Sequence, residues 1–102
     1  MNIPQLRAQI DALDVRLVRL LSKRAKLSLV VGRLKKRAGM PLFIHKRERE
    51  IAHNVTQANR GPLSGKAMRH LFEQILQQTR AMVRAELRRE STNSKHGTPP
   101  DS

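Results

Sequence analysis

The 102-residue sequence contains no cysteine, tryptophan or tyrosine, and only two phenylalanines. Without cysteine, the chain can form no disulfide, no thiolate metal site and no cysteine nucleophile. Its four histidines are scattered and do not follow the spacing of a metal-ligand motif. Apolar runs are too short for a membrane span, and the N-terminal segment lacks the apolar core of a signal peptide. We therefore expect a cytoplasmic protein that does not enter the membrane.

Acidic residues are also scarce, since 8 Asp and Glu stand against 21 Lys and Arg and give a formal net charge of +13. The excess is concentrated in residues 1–40, which carry ten basic and two acidic side chains. Such a balance indicates an anionic partner: a nucleic acid, an acidic protein surface or a small anionic substrate. The length permits one small domain.

The first third of the chain has the pattern of one long helix. Asn2 can cap it and Pro4 suits its first turn, while Gly39 and Pro41 end it near residue 38. Apolar residues recur between these signals at alternating spacings of three and four, which is a heptad seam; they are Ile3, Leu6, Ile10, Leu13, Leu17, Leu20, Leu27, Val31 and Leu34.

Two further helices follow, and no segment alternates with the period of a strand. The pattern predicts a second helix over residues 45–58, a turn over residues 59–62 and a third helix capped by Ser64. We therefore expect an all-α, three-helix domain over residues 1–90. Residues 91–102 are polar with two prolines, and we expect them to form a disordered tail.

The length of the first helix predicts a dimer. About 36 residues extend roughly 54 Å, whereas a compact domain of this size has a radius of gyration of about 13 Å. Two shorter helices cannot cover so long a seam, but the long helix of a second copy can. We therefore expect an intertwined homodimer.

Arg24 occupies a position of the seam where an apolar side chain is expected. Its methylene groups can pack along the seam while its guanidinium reaches water. Alternatively, the guanidinium can be buried at a position where it binds an anion. Lys35 lies about 16 Å further along and within about 20° of the same facet, with the small residues Ser28 and Gly32 between them. Such a strip is typical of the wall of an anion pocket.

Arg7 cannot share a small ligand with Lys35 of its own chain, because about 42 Å of straight helix separate them. In a dimer it could enter the pocket of the partner. The simpler alternative is an exposed arginine beside Asp11. Glu48 and Thr79 also have purely structural explanations, since an acidic residue suits the first turn of a helix and a helical threonine often bonds to its own backbone.

Three segments carry a resemblance to a known family: LRAQIDALDVRLVRLLSKRAKLSLVVGRLKK, RERE and NRGPLSGKAMRHLFEQIL. In this order and spacing they resemble the all-helical (type II) chorismate mutases, over residues 3–83. The resemblance implies an intertwined homodimer of three-helix protomers with two equivalent sites. It also implies an isomerase that rearranges the dianion chorismate to prephenate, on the route to phenylalanine and tyrosine.

Carried over by position, the resemblance implies three catalytic residues. Arg24 would bind a substrate carboxylate, Lys35 would donate to the ether oxygen, and Glu48 would accept from the substrate hydroxyl. Arg7 would reach the other carboxylate from the partner protomer, and Arg47 would add positive charge. A further substrate-binding residue, at a place where the family commonly has serine, is Thr79. The rearrangement is unimolecular, so the resemblance implies no metal and no cofactor.

Two positions depart from the family pattern. Val83 stands where the family usually has glutamine or glutamate beside the ether oxygen, and Ile44 stands where many members have an acidic residue. Either Lys35 carries the ether contact alone, or Glu86 substitutes one turn later, or the enzyme is slow. In the last case we expect activation by the synthase that opens the shikimate pathway.

Three alternatives stay open at this point. An isochorismate pyruvate-lyase would share the fold and the cationic pocket. A remnant that binds the ligand without turning it over would explain Val83. A basic helical dimer that binds nucleic acid would explain the charge, although the chain lacks a helix-turn-helix pair and has almost no aromatic residues for stacking.

Overall fold

A computed structural model describes residues 1–97 of the chain, with side chains through residue 93. Three helices account for the regular structure of these residues: α1 (Ile3–Arg37), α2 (His45–Ala58) and α3 (Gly65–Gly97). The described residues contain no strand. The predicted all-α architecture with a very long first helix is therefore confirmed.

Reciprocal capping begins α1 and a glycine turn ends it. The Asn2 side chain accepts from the Gln5 N–H at 2.9 Å, and the Gln5 side chain accepts from the Asn2 N–H at 3.1 Å, which satisfies two otherwise unpaired donors. At the other end, Gly39 has φ +67°, a conformation that glycine adopts without strain. The Met40 N–H then donates to the Lys35 carbonyl at 2.9 Å.

The second helix has the bounds that the sequence predicts, and the third is longer. Ser64 caps α3, because its hydroxyl accepts from the Ala67 N–H at 3.0 Å. Residues 91–97, the first part of the predicted disordered tail, continue α3. No proline or glycine interrupts the chain between Leu63 and Gly97 except Gly65, so nothing stops the helix at residue 90. Residues 98–102 of the predicted tail lie outside the described residues.

The third helix packs against both α1 and α2, and its contact with α1 holds the small core. Val83 and Leu87 of α3 are 1% and 4% exposed, and Gly32 is the buried residue of α1. A Cβ at Gly32 would lie 2.8 Å from Val83 Cγ1. The absence of a side chain at Gly32 therefore lets the two helices approach closely.

The N-terminal part of α1 projects beyond this core. Every residue from Met1 to Lys23 is exposed, including Leu17 and Leu20, which are 56% and 61% exposed. The chain measures 66 × 32 × 15 Å and has a radius of gyration of 18.5 Å, well above the roughly 13 Å of a compact domain of this length. A single chain thus leaves most of its heptad seam uncovered.

Substitution of Gly32 by alanine tests the close approach of α1 and α3. Although alanine favours helix formation, the new Cβ would overlap Val83, whose side chain is fully packed. We expect Gly32→Ala to lower the free energy of unfolding by about 1–3 kcal/mol, measured by urea unfolding. A matched control is Gly65→Ala, whose Cβ would meet Thr56 at an ordinary 3.7 Å. Equal effects of the two substitutions would contradict the packing account.

An ion pair ties α1 to the distal part of α3. Arg33 donates to Glu90 through Nε at 2.8 Å, and its second nitrogen lies 2.6 Å from the same oxygen. The hydrogen bond from Arg33 lowers the pKa of Glu90, and the same bond raises the pKa of Arg33. Nearby, the Lys36 ammonium donates to the Leu87 carbonyl at 3.3 Å.

The lowered pKa of Glu90 predicts a pH-dependent contribution to stability. Because its folded-state pKa lies below the unfolded value of about 4.3, the contribution is present above that pH and is lost as pH falls through the folded-state pKa. We expect Glu90→Gln to lower the urea midpoint slightly at pH 7, with the difference from the unsubstituted chain closing in acid. Glu73→Gln, on the exposed side of the same helix, is the control. A difference that persists in acid would refute the ion-pair explanation.

Candidate active site

A cavity of about 320 Å³ opens between all three helices. The loop before α2 contributes Leu42, Phe43 and Ile44 to its lining. The polar and charged residues of its lining are Arg24, Ser28, Lys35, Arg47, Glu48, Thr79 and Arg80. Five of the six residues predicted for the site therefore line one cavity, and Arg7 is the exception.

Helix α1 supplies the predicted strip of cations. Arg24 and Lys35 both line the cavity with Ser28 between them, as their shared facet predicts. The Lys35 ammonium donates to the Leu42 carbonyl at 3.3 Å, so the loop fixes its position. The prediction fails for Gly32, which is buried against α3 and does not line the cavity.

The first turn of α2 contributes one basic residue and one acidic residue to the cavity. Arg47 is exposed, and its guanidinium lies 3.5 Å from the Glu50 carboxylate. Glu48 is half-buried, and its carboxylate accepts a hydrogen bond from Arg80 of α3. The helical pattern does not indicate Arg80 as a site residue, because Thr79 directly before it occupies the predicted inward stripe of α3.

Of the three α3 residues that the family resemblance relates to the site, Thr79 lines the cavity, whereas Val83 and Glu86 do not. The Thr79 hydroxyl donates to the Ile75 carbonyl at 2.8 Å, as its structural explanation predicts. Val83 does not face the cavity, because its side chain is part of the α1–α3 core. Glu86 does not line the cavity either and accepts from Arg89 at 2.8 Å. The proposed substitution of Glu86 for a glutamine beside the ether oxygen is therefore not supported by its position.

The loop side of the cavity is apolar. Ile44, the N-terminal cap residue of α2, makes no side-chain capping hydrogen bond, because it has no acceptor. Phe43 beside it packs under Arg84, whose guanidinium carbon lies 5.0 Å from the ring centroid, a cation–π geometry. This contact links the loop to α3 at Arg84, the residue that follows Val83.

Arg7 lies on the exposed N-terminal part of α1, outside the cavity. Arg7 is exposed, as the simpler alternative predicts, and among the residues with described side chains it forms no ion pair with Asp11 or with another carboxylate. A contribution of Arg7 to this cavity can come only from another chain.

The electrostatic character of the cavity suits an anion with more than one charge. Four basic side chains line it against one carboxylate, Glu48, and Arg80 already pairs with that carboxylate. Within the described side chains, no carboxylate lies within ion-pair distance of Arg24 or Lys35. Those two cations therefore face the cavity without a protein counter-charge. The described residues contain no cluster of His, Asp and Glu that could hold a metal ion.

Comparison with known proteins decides the family. The profile of the family described as chorismate mutase type II matches residues 6–84. The chain belongs to the type II chorismate mutase family. Bifunctional chorismate mutase/prephenate dehydratases from Aquifex aeolicus and Pseudomonas aeruginosa are each 33% identical to this member of the family, over 79 and 80 residues. Each match covers 74% of this chain and 22% of the relative, so the chain spans about a fifth of those proteins.

Two solved structures of chorismate mutases have folds similar to that of this chain. Chorismate mutase (form II) from Thermus thermophilus is 33% identical, with a TM-score of 0.78 over 80% of this chain and 93% of that one. Form I from the same organism is 35% identical, with a TM-score of 0.73 over 76% of this chain and 96% of that one. Among the described residues of this type II chorismate mutase family member, no helix is long and apolar enough to span a membrane.

Proposed function

We propose that this chain is a chorismate mutase that rearranges chorismate to prephenate in the synthesis of phenylalanine and tyrosine. The observation that carries the proposal is the convergence of Arg24, Lys35, Arg47, Glu48 and Thr79 on one cavity. These residues come from three different helices; the helical pattern predicts Arg24 and Lys35 for the site, and the family resemblance implies Arg47, Glu48 and Thr79. The family relationship supplies the reaction, and the chemistry of the lining fits its dianionic substrate.

The cavity would bind the substrate through its two carboxylates. Arg24 would pair with one of them, because a guanidinium can donate two parallel hydrogen bonds to a carboxylate. Arg47, at the exposed rim, would add a positive field at the entrance. The apolar side chains Leu27, Val31 and Ile51 also line the cavity, and they would pack against the carbon skeleton and hold it in its compact, reactive conformer.

The reaction itself would need positioning and charge stabilisation rather than covalent chemistry. One carbon–oxygen bond breaks while one carbon–carbon bond forms within the same molecule, and no proton is transferred. Negative charge develops on the ether oxygen as its bond breaks, and the Lys35 ammonium would donate to it there. Because Lys35 is held against the Leu42 carbonyl, little reorganisation is needed. Glu48 would accept from the substrate hydroxyl.

The proposed enzyme is an intertwined homodimer in which Arg7 acts on the partner's substrate. The exposed seam of α1 supports this proposal, since Leu17, Leu20 and their neighbours remain exposed in the single chain. The position of Arg7 supports it too, because about 42 Å of helix separate it from Lys35 in the cavity of its own chain. A second long helix laid on the seam would cover both the apolar residues and the open side of the cavity.

Loss of the two cations on α1 should abolish most turnover. We expect the unsubstituted protein to consume chorismate, followed by its ultraviolet absorbance, and to form prephenate, identified by chromatography. Arg24→Met and Lys35→Met should each lower kcat/KM by about 10²–10³-fold without loss of helical circular dichroism. Lys26→Met removes a charge from the exposed face of the same helix and should leave kcat/KM within about 2-fold.

The assay also separates the alternatives. Pyruvate release from isochorismate, without prephenate formation from chorismate, would replace the proposal with a lyase. Saturable binding of chorismate without product would indicate a binding-only role. Equal losses for Lys26→Met and Lys35→Met would show that net charge, not the cavity, determines activity.

Activation by the synthase that opens the shikimate pathway stays a prediction, as does the cytoplasmic location. The sequence predicts activation because Val83 stands where the family usually has a residue that can hydrogen-bond to the ether oxygen. In the structure Val83 lies in the core. Lys35 is nevertheless the one cavity residue assigned to the ether oxygen, which still favours a slow enzyme. We expect added synthase to raise kcat/KM; an unchanged value would remove this partner from the proposal.

A further inference from the structure

Arg80 is the charged residue of the cavity that neither the sequence pattern nor the assigned roles explain. It lies on α3, is 28% exposed, and donates to the carboxylate of Glu48 on α2, whose side chain is also 28% exposed. The two residues are 32 positions apart in the sequence. The pair therefore depends on the packing of α2 against α3 and not on a local helical spacing.

The Glu48–Arg80 pair also separates two cavities. Besides the candidate active site, a second cavity of about 350 Å³ opens between α2 and α3. The residues common to the two linings are Glu48, Ile51, Leu76 and Arg80. Glu48 and Arg80 thus form the polar part of a shared wall, with Ile51 and Leu76 as its apolar part.

We propose that Arg80 is a positioning residue, which holds the Glu48 carboxylate in the wall of the active site and away from the cations that bind the substrate. This inference rests on the proposed mutase function. Four basic side chains surround a single carboxylate in this cavity. Without a fixed partner, Glu48 would be attracted to Arg24, Lys35 or Arg47, and would then neutralise a charge that the dianion needs.

The geometry favours this role over direct substrate binding by Arg80. The Arg80 guanidinium already donates a charge-assisted hydrogen bond to the half-buried Glu48 carboxylate, so part of its positive charge is compensated before a ligand binds. Arg24 and Lys35 have no such carboxylate partner among the described side chains. They remain the anion-binding groups, while Arg80 acts through Glu48.

The test compares the effect of Arg80→Met with and without the carboxylate of Glu48. In the otherwise unsubstituted dimer, we expect Arg80→Met to lower kcat/KM for chorismate by about 10-fold or more. Part of the loss should be a higher KM, because the displaced carboxylate competes for the binding cations. In the Glu48→Gln background, which is already impaired, the same substitution should change kcat/KM by less than about 2-fold.

Two further variants control for charge and for folding. Arg80→Lys keeps the charge with fewer donors and should recover part of the lost kcat/KM. Arg88→Met removes an arginine from the exposed surface of the same helix, two turns further on, and should match the unsubstituted enzyme. Circular dichroism and thermal unfolding of all variants show whether α3 remains folded; if Arg80→Met unfolds, Arg80→Lys in the two backgrounds provides the same comparison.

Each outcome decides the inference. Equal losses from Arg80→Met in the two backgrounds would show that Arg80 contacts the substrate directly, and would overturn a positioning role. Unchanged kcat/KM for Arg80→Met in an active enzyme would also overturn it, while the proposed function would stand. Absence of chorismate turnover in the unsubstituted protein would overturn the proposed function, and this inference with it.

Discussion

The uncovered apolar seam of α1 is the constraint on which the rest of the structure depends. A single chain buries only a small core around Val83 and Leu87, and every residue up to Lys23 is exposed. Such a core buries little apolar surface for a domain of this size. In the proposed dimer, a second copy of α1 would bury the seam and close the cavity at once, so that folding, assembly and site formation would be one event.

The chemistry of the cavity follows from the cations placed beside that seam. Arg24 and Lys35 face the cavity from α1 and form no ion pair among the described side chains, while Glu48 of the same lining pairs with Arg80. Positive charge inside a partly closed cavity acts more strongly than it would in water. This arrangement suits a reaction in which charge develops on one oxygen of a bound dianion, since preorganised donors need not reorganise as the bond breaks.

Local signals in the sequence predicted the helices, and tertiary contacts determined what the sequence could not. Caps and breakers indicated the start and end of α1 and the bounds of α2. For residues 91–97 the polarity of the segment predicted a tail, whereas α3 continues through them, since no glycine or proline lies between Gly65 and Gly97. Helical periodicity brought Arg24 and Lys35 to one facet. It could not reveal that Gly32 meets Val83, or that Glu48 pairs with Arg80, because both contacts depend on how α3 packs against the other two helices.

Complementation between two inactive chains tests the shared site most directly. Arg7→Ala and Lys35→Ala chains, co-expressed with different tags and purified through both, form hybrid dimers in which one site keeps Lys35 of its own chain and Arg7 of the partner. The account predicts about half of the unsubstituted chorismate turnover, because one of the two equivalent sites is intact. Each substituted chain alone should be nearly inactive. A hybrid no more active than its parents would contradict a site built from two chains.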